Sequence, residues 1–310
     1  MTRQNPQSHR TAPQTDRFEW PTLALFVACF GLLVLSVAVL PTVLFWLAPP
    51  VLIFALVLHA SLTHEVCHGH PMPSRGLAEM LVHVNPGLAI PYLRFRDTHL
   101  AHHQDSILTD PYDDPESNYL DPVKWADMPR WAQALRQVNN TLAGRMLIGP
   151  LLGQIAFMAD DWKLMRRGDR SALLGWALHL PLAAGVIWLV VLSPMPLWLY
   201  LICCYVALGV LKIRTFLEHQ AHEKARGRTV IIEDRGLLAF LFLNNNLHVV
   251  HHMHPRVPWY RLPALYTKNK ARYLASNDGY VFRSYGDIFR QYFWRAKDPV
   301  PHPLWSSADK

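Results

Sequence analysis

The chain has 310 residues, of which 51% are apolar and only 17% charged, and it carries a formal net charge of +7. Length alone allows one large domain or two ordinary ones, but this composition is unlike that of a soluble enzyme. The positive excess fits loops beside anionic lipid and calls for no nucleic-acid partner.

Residues 1–19 form a polar tail with Pro and Gln, predicted to be disordered or loosely surface-bound over 1–17. From Trp20 to His64 there is no Asp, Glu, Lys or Arg, and the same holds from Ser171 to Leu211. Each stretch is about twice the roughly 20 residues that one helix needs to cross the hydrocarbon layer, so each predicts a helical hairpin. Pro41 divides the first into spans at 22–40 and 42–62, and Ser193-Pro194-Met195-Pro196 divides the second into spans at 172–192 and 197–213. A pair of buried helices in a large soluble protein is the alternative, and uncharged runs of this length argue against it. The first span follows a polar segment and lacks a small-residue cleavage site, so it reads as a retained anchor.

Between the hairpins, 76–95 is apolar but too short to span and is broken by Pro86 and Pro91, which predicts a re-entrant or interfacial helix. The stretch from 104 to 170 begins acidic and turn-rich and then becomes helical, with Trp125, Trp131 and Trp162 either at headgroup level or packing a cap. Residues 236–247 are apolar and again too short to span. The membrane domain thus covers 20–265, and 266–310 is a basic C-terminal segment suited to lipid or an acidic protein. The two hairpin turns are uncharged, so all 30 Lys and Arg residues fall on the opposite side. The positive-inside rule then assigns both termini, the 63–170 segment and everything after Leu211 to the cytoplasm, at the inner membrane if the source is bacterial. The expected class is an all-α membrane protein, with two transmembrane hairpins under a cytoplasmic helical cap.

Three histidine clusters flank the uncharged stretches: HEVCHGH at 64–70, HLAHH at 99–103 and HVVHH at 248–252. On a helix, positions i, i+3 and i+4 share a face. His64 with His68, the trio His99, His102 and His103, and the trio His248, His251 and His252 are each expected to aim their rings in a common direction. Asp97 or Thr98 can cap the second helix, Asn244 to Asn246 can open the third, and Pro255 ends it. Eight imidazoles then converge from three helices. Neutral imidazole is a good ligand for first-row metals, and eight or nine are enough for two ions and too many for one. The remaining histidines, His9, His59, His83, His179 and His302, are expected to be ordinary bonded residues. Cys29, Cys67, Cys203 and Cys204 form no CxxC pair, so a disulfide framework or thiolate zinc site is not indicated. A pair of redox-active irons uses the whole histidine set.

The order HxxxH, HxxHH, HxxHH, with four spans and every box on one face, resembles the membrane fatty acid desaturase superfamily, which includes acyl and sphingolipid desaturases, carotenoid ketolases and lipid hydroxylases. The resemblance covers residues 20 to 265. It implies two non-haem irons held by His64, His68, His99, His102, His103, His248, His251 and His252, with a ninth ligand after the fourth span. His219 is the match, favoured over His222. His70 and His254 depart from the pattern and are expected to support the site or lie on the surface. Glu65, Asp97, Asp105, Glu218 and Asn244 are adjacent candidates for orienting the ligands. The resemblance further implies O2-dependent attack on a C–H bond of a lipid or acyl chain, by desaturation or alternatively hydroxylation or ketolase-like oxygenation. The substrate is expected to enter from the bilayer along 76–95 or 236–247. Electrons are expected from a ferredoxin, rubredoxin or cytochrome, because no dinucleotide fingerprint or iron–sulfur motif is present. HEVCH also matches the HExxH motif of zinc proteases, a reading that leaves both HxxHH trios unexplained. A metal transporter or sensor is weakened by the absence of charge within the spans.

Overall fold

The computed structural model describes residues 18–104 and 106–305, so the tail at 1–17, Asp105 and the last five residues lie outside the described residues. Four helices are long and apolar enough to cross a membrane: α1 (Trp20–Val43), α2 (Phe45–Cys67) and, after the helices described next, Arg170–Leu192 and Leu197–Thr215. Between the pairs come α3 (Arg75–His83) and α4 (Tyr92–His102), then α5 (Pro122–Ala126), α6 (Arg130–Asn139), α7 (Leu142–Leu147) and α8 (Gly149–Arg166). The second pair is α9 (Arg170–Leu192) and α10 (Leu197–Thr215), followed by α11 (Leu237–Leu241), α12 (His248–Met253), α13 (Leu262–Lys268), α14 (Lys270–Ser276) and α15 (Tyr285–Tyr292). The short strands β1 (Ile231–Ile232) and β2 (Val281–Phe282) pair in parallel within the cap.

Pro41 does not break the first hairpin. Leu35–Val39 winds as a π-turn, in which the Leu40 N–H reaches the Leu35 carbonyl, and the wider turn accommodates the prolyl ring and its missing donor. The helix runs on to Val43, and the chain reverses at Leu44 (φ −147°, ψ 65°). The second hairpin reverses at Ser193–Pro196, as its Ser-Pro-Met-Pro sequence predicts.

The second and fourth spans form the centre. α2 packs against both α1 and α10, while α9 lies outermost and exposes Trp188, Leu189 and Leu192. Cys203 Sγ lies 4.0 Å from the Pro49 carbonyl, so α2 and α10 start together at the end with the uncharged turns. They also finish together, at the end bearing the histidines. Outward-facing apolar residues such as Val27 and Ile202 make the surface of the spans lipid-compatible.

The 76–95 segment is two helices joined by a loop rather than one re-entrant helix. Ser74 caps α3, Pro86 and Pro91 prevent continuation, and Pro91 is itself the N-cap of α4. Side chains from the spans satisfy the loop's carbonyls: Tyr200 Oη donates to Pro86 O (2.6 Å) and His179 Nε2 meets Leu88 O (2.9 Å), while Gln154 Nε2 of α8 donates to Ala89 O (2.7 Å). Irregular backbone at this depth requires such partners. The loop and the two central spans line a partly open apolar cavity of about 120 Å³, whose walls include Leu56, Thr63, Tyr92, Phe95 and Leu208.

α4 is fixed by a buried ion pair. Arg94 meets both oxygens of Asp161 on α8 (2.9–3.1 Å), and Trp176 Nε1 of α9 donates to the same carboxylate (2.8 Å). Gly175 makes the approach possible, because a Cβ there would stand 3.0 Å from Arg94 Cγ. Trp131 and Trp162 are exposed rather than packed into the cap.

Candidate metal centre

The nine expected imidazoles meet in two groups. His64, His68, His99, His103 and His251 form one, and His102, His219, His248 and His252 form the other; within each, the available ligand atoms all lie within 4.8 Å of one another. The trios do not act as units. At roughly 100° per residue, positions i and i+4 lie about 40° apart around a helix, whereas i+3 falls about 60° to the other side. His99 and His103 therefore enter the first group while His102 enters the second, and His248 and His252 enter the second while His251 enters the first. The groups adjoin, with the rings of His103 and His252 stacked at 4.2 Å.

The nitrogens face one another directly. In the first group His99 Nε2 lies 3.0 Å from the Nε2 atoms of both His68 and His103, and His251 Nε2 lies 3.2 Å from His103 Nε2. In the second, His219 Nε2 lies 2.9 Å from His102 Nε2 and 3.2 Å from His248 Nε2, which is 3.2 Å from His252 Nε2. Two nitrogens each about 2.1 Å from one ion stand about 3.0–3.4 Å apart, so these separations suit metal coordination.

Hydrogen bonding at the far nitrogen sets the tautomer. His102 Nδ1 donates to Asp114 (2.8 Å), His99 Nδ1 to Glu116 (3.1 Å) and His248 Nδ1 to Asn245 Oδ1 (2.9 Å), leaving their Nε2 lone pairs directed inward. Thr229 Oγ1 stands 3.3 Å from His219 Nδ1. The buried His64 Nε2 has no hydrogen-bond partner among the described residues, although its ring centroid lies 4.5 Å from that of His99 and 4.6 Å from that of His251. Convergent buried lone pairs without a donor are costly, and a cation would satisfy them. The residues thus fit two metal ions with imidazole ligands.

Electrostatics agree with that fit. Burial, reinforced by neighbouring imidazoles, holds His103, His219, His248 and His251 well below the usual histidine range, which favours their neutral forms. Burial opposes charge at His102 too, yet Glu116 and Asp114 push it up to about 9. Glu116 is half-buried against the same imidazoles, and His102 and His99 hold it well below the usual carboxylate range. Positive charge is favoured where those carboxylates converge.

The expected supporting residues fare unevenly. Glu65 lies 3.6 Å from His64 Nδ1 and accepts from the Trp259 N–H (3.1 Å), and Glu218 lies 3.8 Å from His248 Nδ1 while pairing with Arg214 (3.1 Å). Asp97 is a correction: it accepts from Arg96 and Ser171 and meets no clustered ring, because residues two apart on α4 point to opposite sides. Nor does Asp97 or Thr98 cap α4, which begins a turn and a half earlier at Tyr92. Asn244 is also misassigned. With φ at +56° it turns its amide to the Trp259 carbonyl, and the next residue, Asn245, meets the ring. The cap of α12 is Leu247 rather than an asparagine.

His70 joins neither group and pairs with Glu19 (2.6 Å), while His222 lies 3.4 Å from Asp278 in a more open setting. His59, His83, His179 and His302 each meet a nearby backbone or hydroxyl partner. All four cysteines are buried and free. The sequence marks Asp114 and Glu116 only as part of a rigid, acidic loop beside the site or a docking surface for a basic electron donor, and ties neither them nor Thr229 to a ring. The signal was the acidic tract shortly after the second box, which folds back because Asp114 accepts from the Thr109 and Glu116 amides (both 2.9 Å).

A family model of fatty acid desaturases matches residues 41–284, well over half of the chain, whereas no curated protein matches it. The matched region contains all nine clustered histidines and the second, third and fourth spans whole, but only the last few residues of the first. The chain belongs to the fatty acid desaturase family.

Proposed function

We propose that the protein is an O2-dependent di-iron oxidoreductase that introduces a double bond into a fatty acyl chain or lipid. Family membership implies an oxidoreductase. The observation that carries the finer reading is the pair of adjoining all-imidazole groups, beside which Phe95 both lines the apolar cavity and stacks on His99 (5.5 Å, 16°). His64, His68, His99, His103 and His251 would hold one iron, and His102, His219, His248 and His252 the other. When bound, the irons supply the oxygen activation and hydrogen removal that no side chain can perform on a saturated chain. The protein's own contribution is placement.

The carboxylates of Asp114 and Glu116 and the amide oxygen of Asn245 keep protons at Nδ1, so that each Nε2 stays available. Thr63, one residue before His64, and Phe95, which stacks on His99, tie the cavity to the first group, so an acyl carbon would be presented there against the apolar walls of Leu56 and Leu208. Entry from the bilayer is supported by the position of this cavity between two spans. The histidine face is assigned to the cytoplasm by the excess of Lys and Arg over that end and the uncharged turns at the other. Electrons are assigned to an external ferredoxin, rubredoxin or cytochrome.

The test is mass spectrometry of total lipids from cells carrying the wild-type chain or its His102→Ala variant. Desaturation predicts wild-type-dependent acyl species lacking two hydrogens. Species that gain one oxygen instead would replace the desaturase reading with the hydroxylase one.

A further inference from the structure

Eight of the clustered histidines sit on, or immediately cap, helices whose backbones bond themselves. His219 does not. It follows the end of α10 at Thr215 and lies, half-buried, in an isolated bridge with Thr229, so its carbonyl has no helical donor and takes one from a side chain. That donor is Lys297, beyond the 41–284 region matched by the family. Its Nζ donates to His219 O at 2.8 Å, lies 3.7 Å from Asp298 Oδ2 and sits 5.5 Å from the Tyr119 ring centroid.

Asp298 accepts from Tyr119 Oη, and the same phenol oxygen accepts from the Ala221 N–H at 2.8 Å. The 219–221 segment is therefore gripped at both ends, by Lys297 on one carbonyl and by Tyr119 on one amide, with Asp298 joining the two. The strap that delivers these groups is itself tied to the cap. Lys297 N–H donates to Asn140 O (3.2 Å), Asn140 Nδ2 to Asp298 O, Leu120 N–H to Val300 O (3.0 Å) and His302 N–H to Leu120 O (2.8 Å). A buried ammonium with a carboxylate beside it makes a stronger and more directional anchor than a neutral donor. Lys297 is not part of a solvated basic tail.

We propose that Lys297, with Asp298 and Tyr119, is a positioning device for His219 that controls metal occupancy of the four-histidine group without touching the five-histidine group. The inference rests on the reading of both groups as iron sites. Its asymmetry follows from the map of contacts: among the described residues the strap bonds directly to one ligand, His219, and through His302, Thr109 and Asp114 it leads to His102 of the same group.

The experiment is iron content and Fe(II) titration of the full chain purified in detergent, comparing wild type, Lys297→Met, His219→Ala and the double variant. Lys297→Met is expected to keep the first iron and bind the second at least ~10-fold more weakly. In the His219→Ala background, Lys297→Met is expected to change nothing further, because the group it acts through is gone. Tyr119→Phe is expected to repeat the selective loss to a smaller degree. Two irons bound as tightly in Lys297→Met as in wild type would overturn the proposal, as would equal loss of both, which marks a general folding role. A wild-type chain that takes up no metal would overturn both this inference and the reading beneath it.

Discussion

The five-histidine and four-histidine groups draw on the same two HxxHH boxes but are completed by different means. The first adds His64 and His68, from the end of a span whose register is fixed by packing along its whole length. The second adds His219, from a non-helical segment held by residues near the other end of the chain. A ligand on a helix inherits its position from a repeating backbone, whereas one on a loop depends on each tertiary contact that holds it. The two groups are therefore expected to differ in robustness although their ligands are chemically identical.

Removing a ligand is the most severe way to break that comparison. His251→Ala and His102→Ala are each expected to reduce turnover below detection; the second leaves three imidazoles in its group and should empty it, as read by iron content. Next in size is the ion pair beneath both groups. Asp161→Ala leaves the buried Arg94 guanidinium with only the more distant and more exposed Asp97 carboxylate (4.0 Å) and should cost up to about 3–5 kcal/mol of stability, measured by thermal or denaturant unfolding in detergent. Because α4 feeds both groups, both irons should weaken together, in contrast to Lys297→Met. A smaller effect follows at the carboxylates. Asp114→Asn should reduce iron affinity or activity by about 10–100-fold, mainly in the four-histidine group through His102, while Glu116→Gln should act mainly on the five-histidine group through His99. The smallest belongs to His222→Ala, expected to leave iron content unchanged and stability within about 0.5 kcal/mol.

Features written in local periodicity were legible in the sequence. Uncharged length announced four spans, and recurrent spacing marked the eight box histidines that the fold gathers with His219. Features decided by distant partners were not. Asp114 and Glu116 reach His102 and His99 only because the acidic tract turns back on itself, and Asn245 replaces Asn244 because positive φ at Leu243 and Asn244 turns the Asn244 side chain away. Asp97 was misread for the opposite reason, since nearness in sequence is poor evidence of nearness on a helix when the offset is two. His70 is claimed by Glu19, far away along the chain. The split of each trio between two groups was implicit in helical geometry but required the facing helices to become visible.

The most direct measurement is the iron and zinc content per chain of the purified, full-length protein. Two all-imidazole groups predict two irons per chain and no stoichiometric zinc. One zinc with no iron would contradict the account, since it would leave the second HxxHH pattern, His219 and their supporting residues without a task.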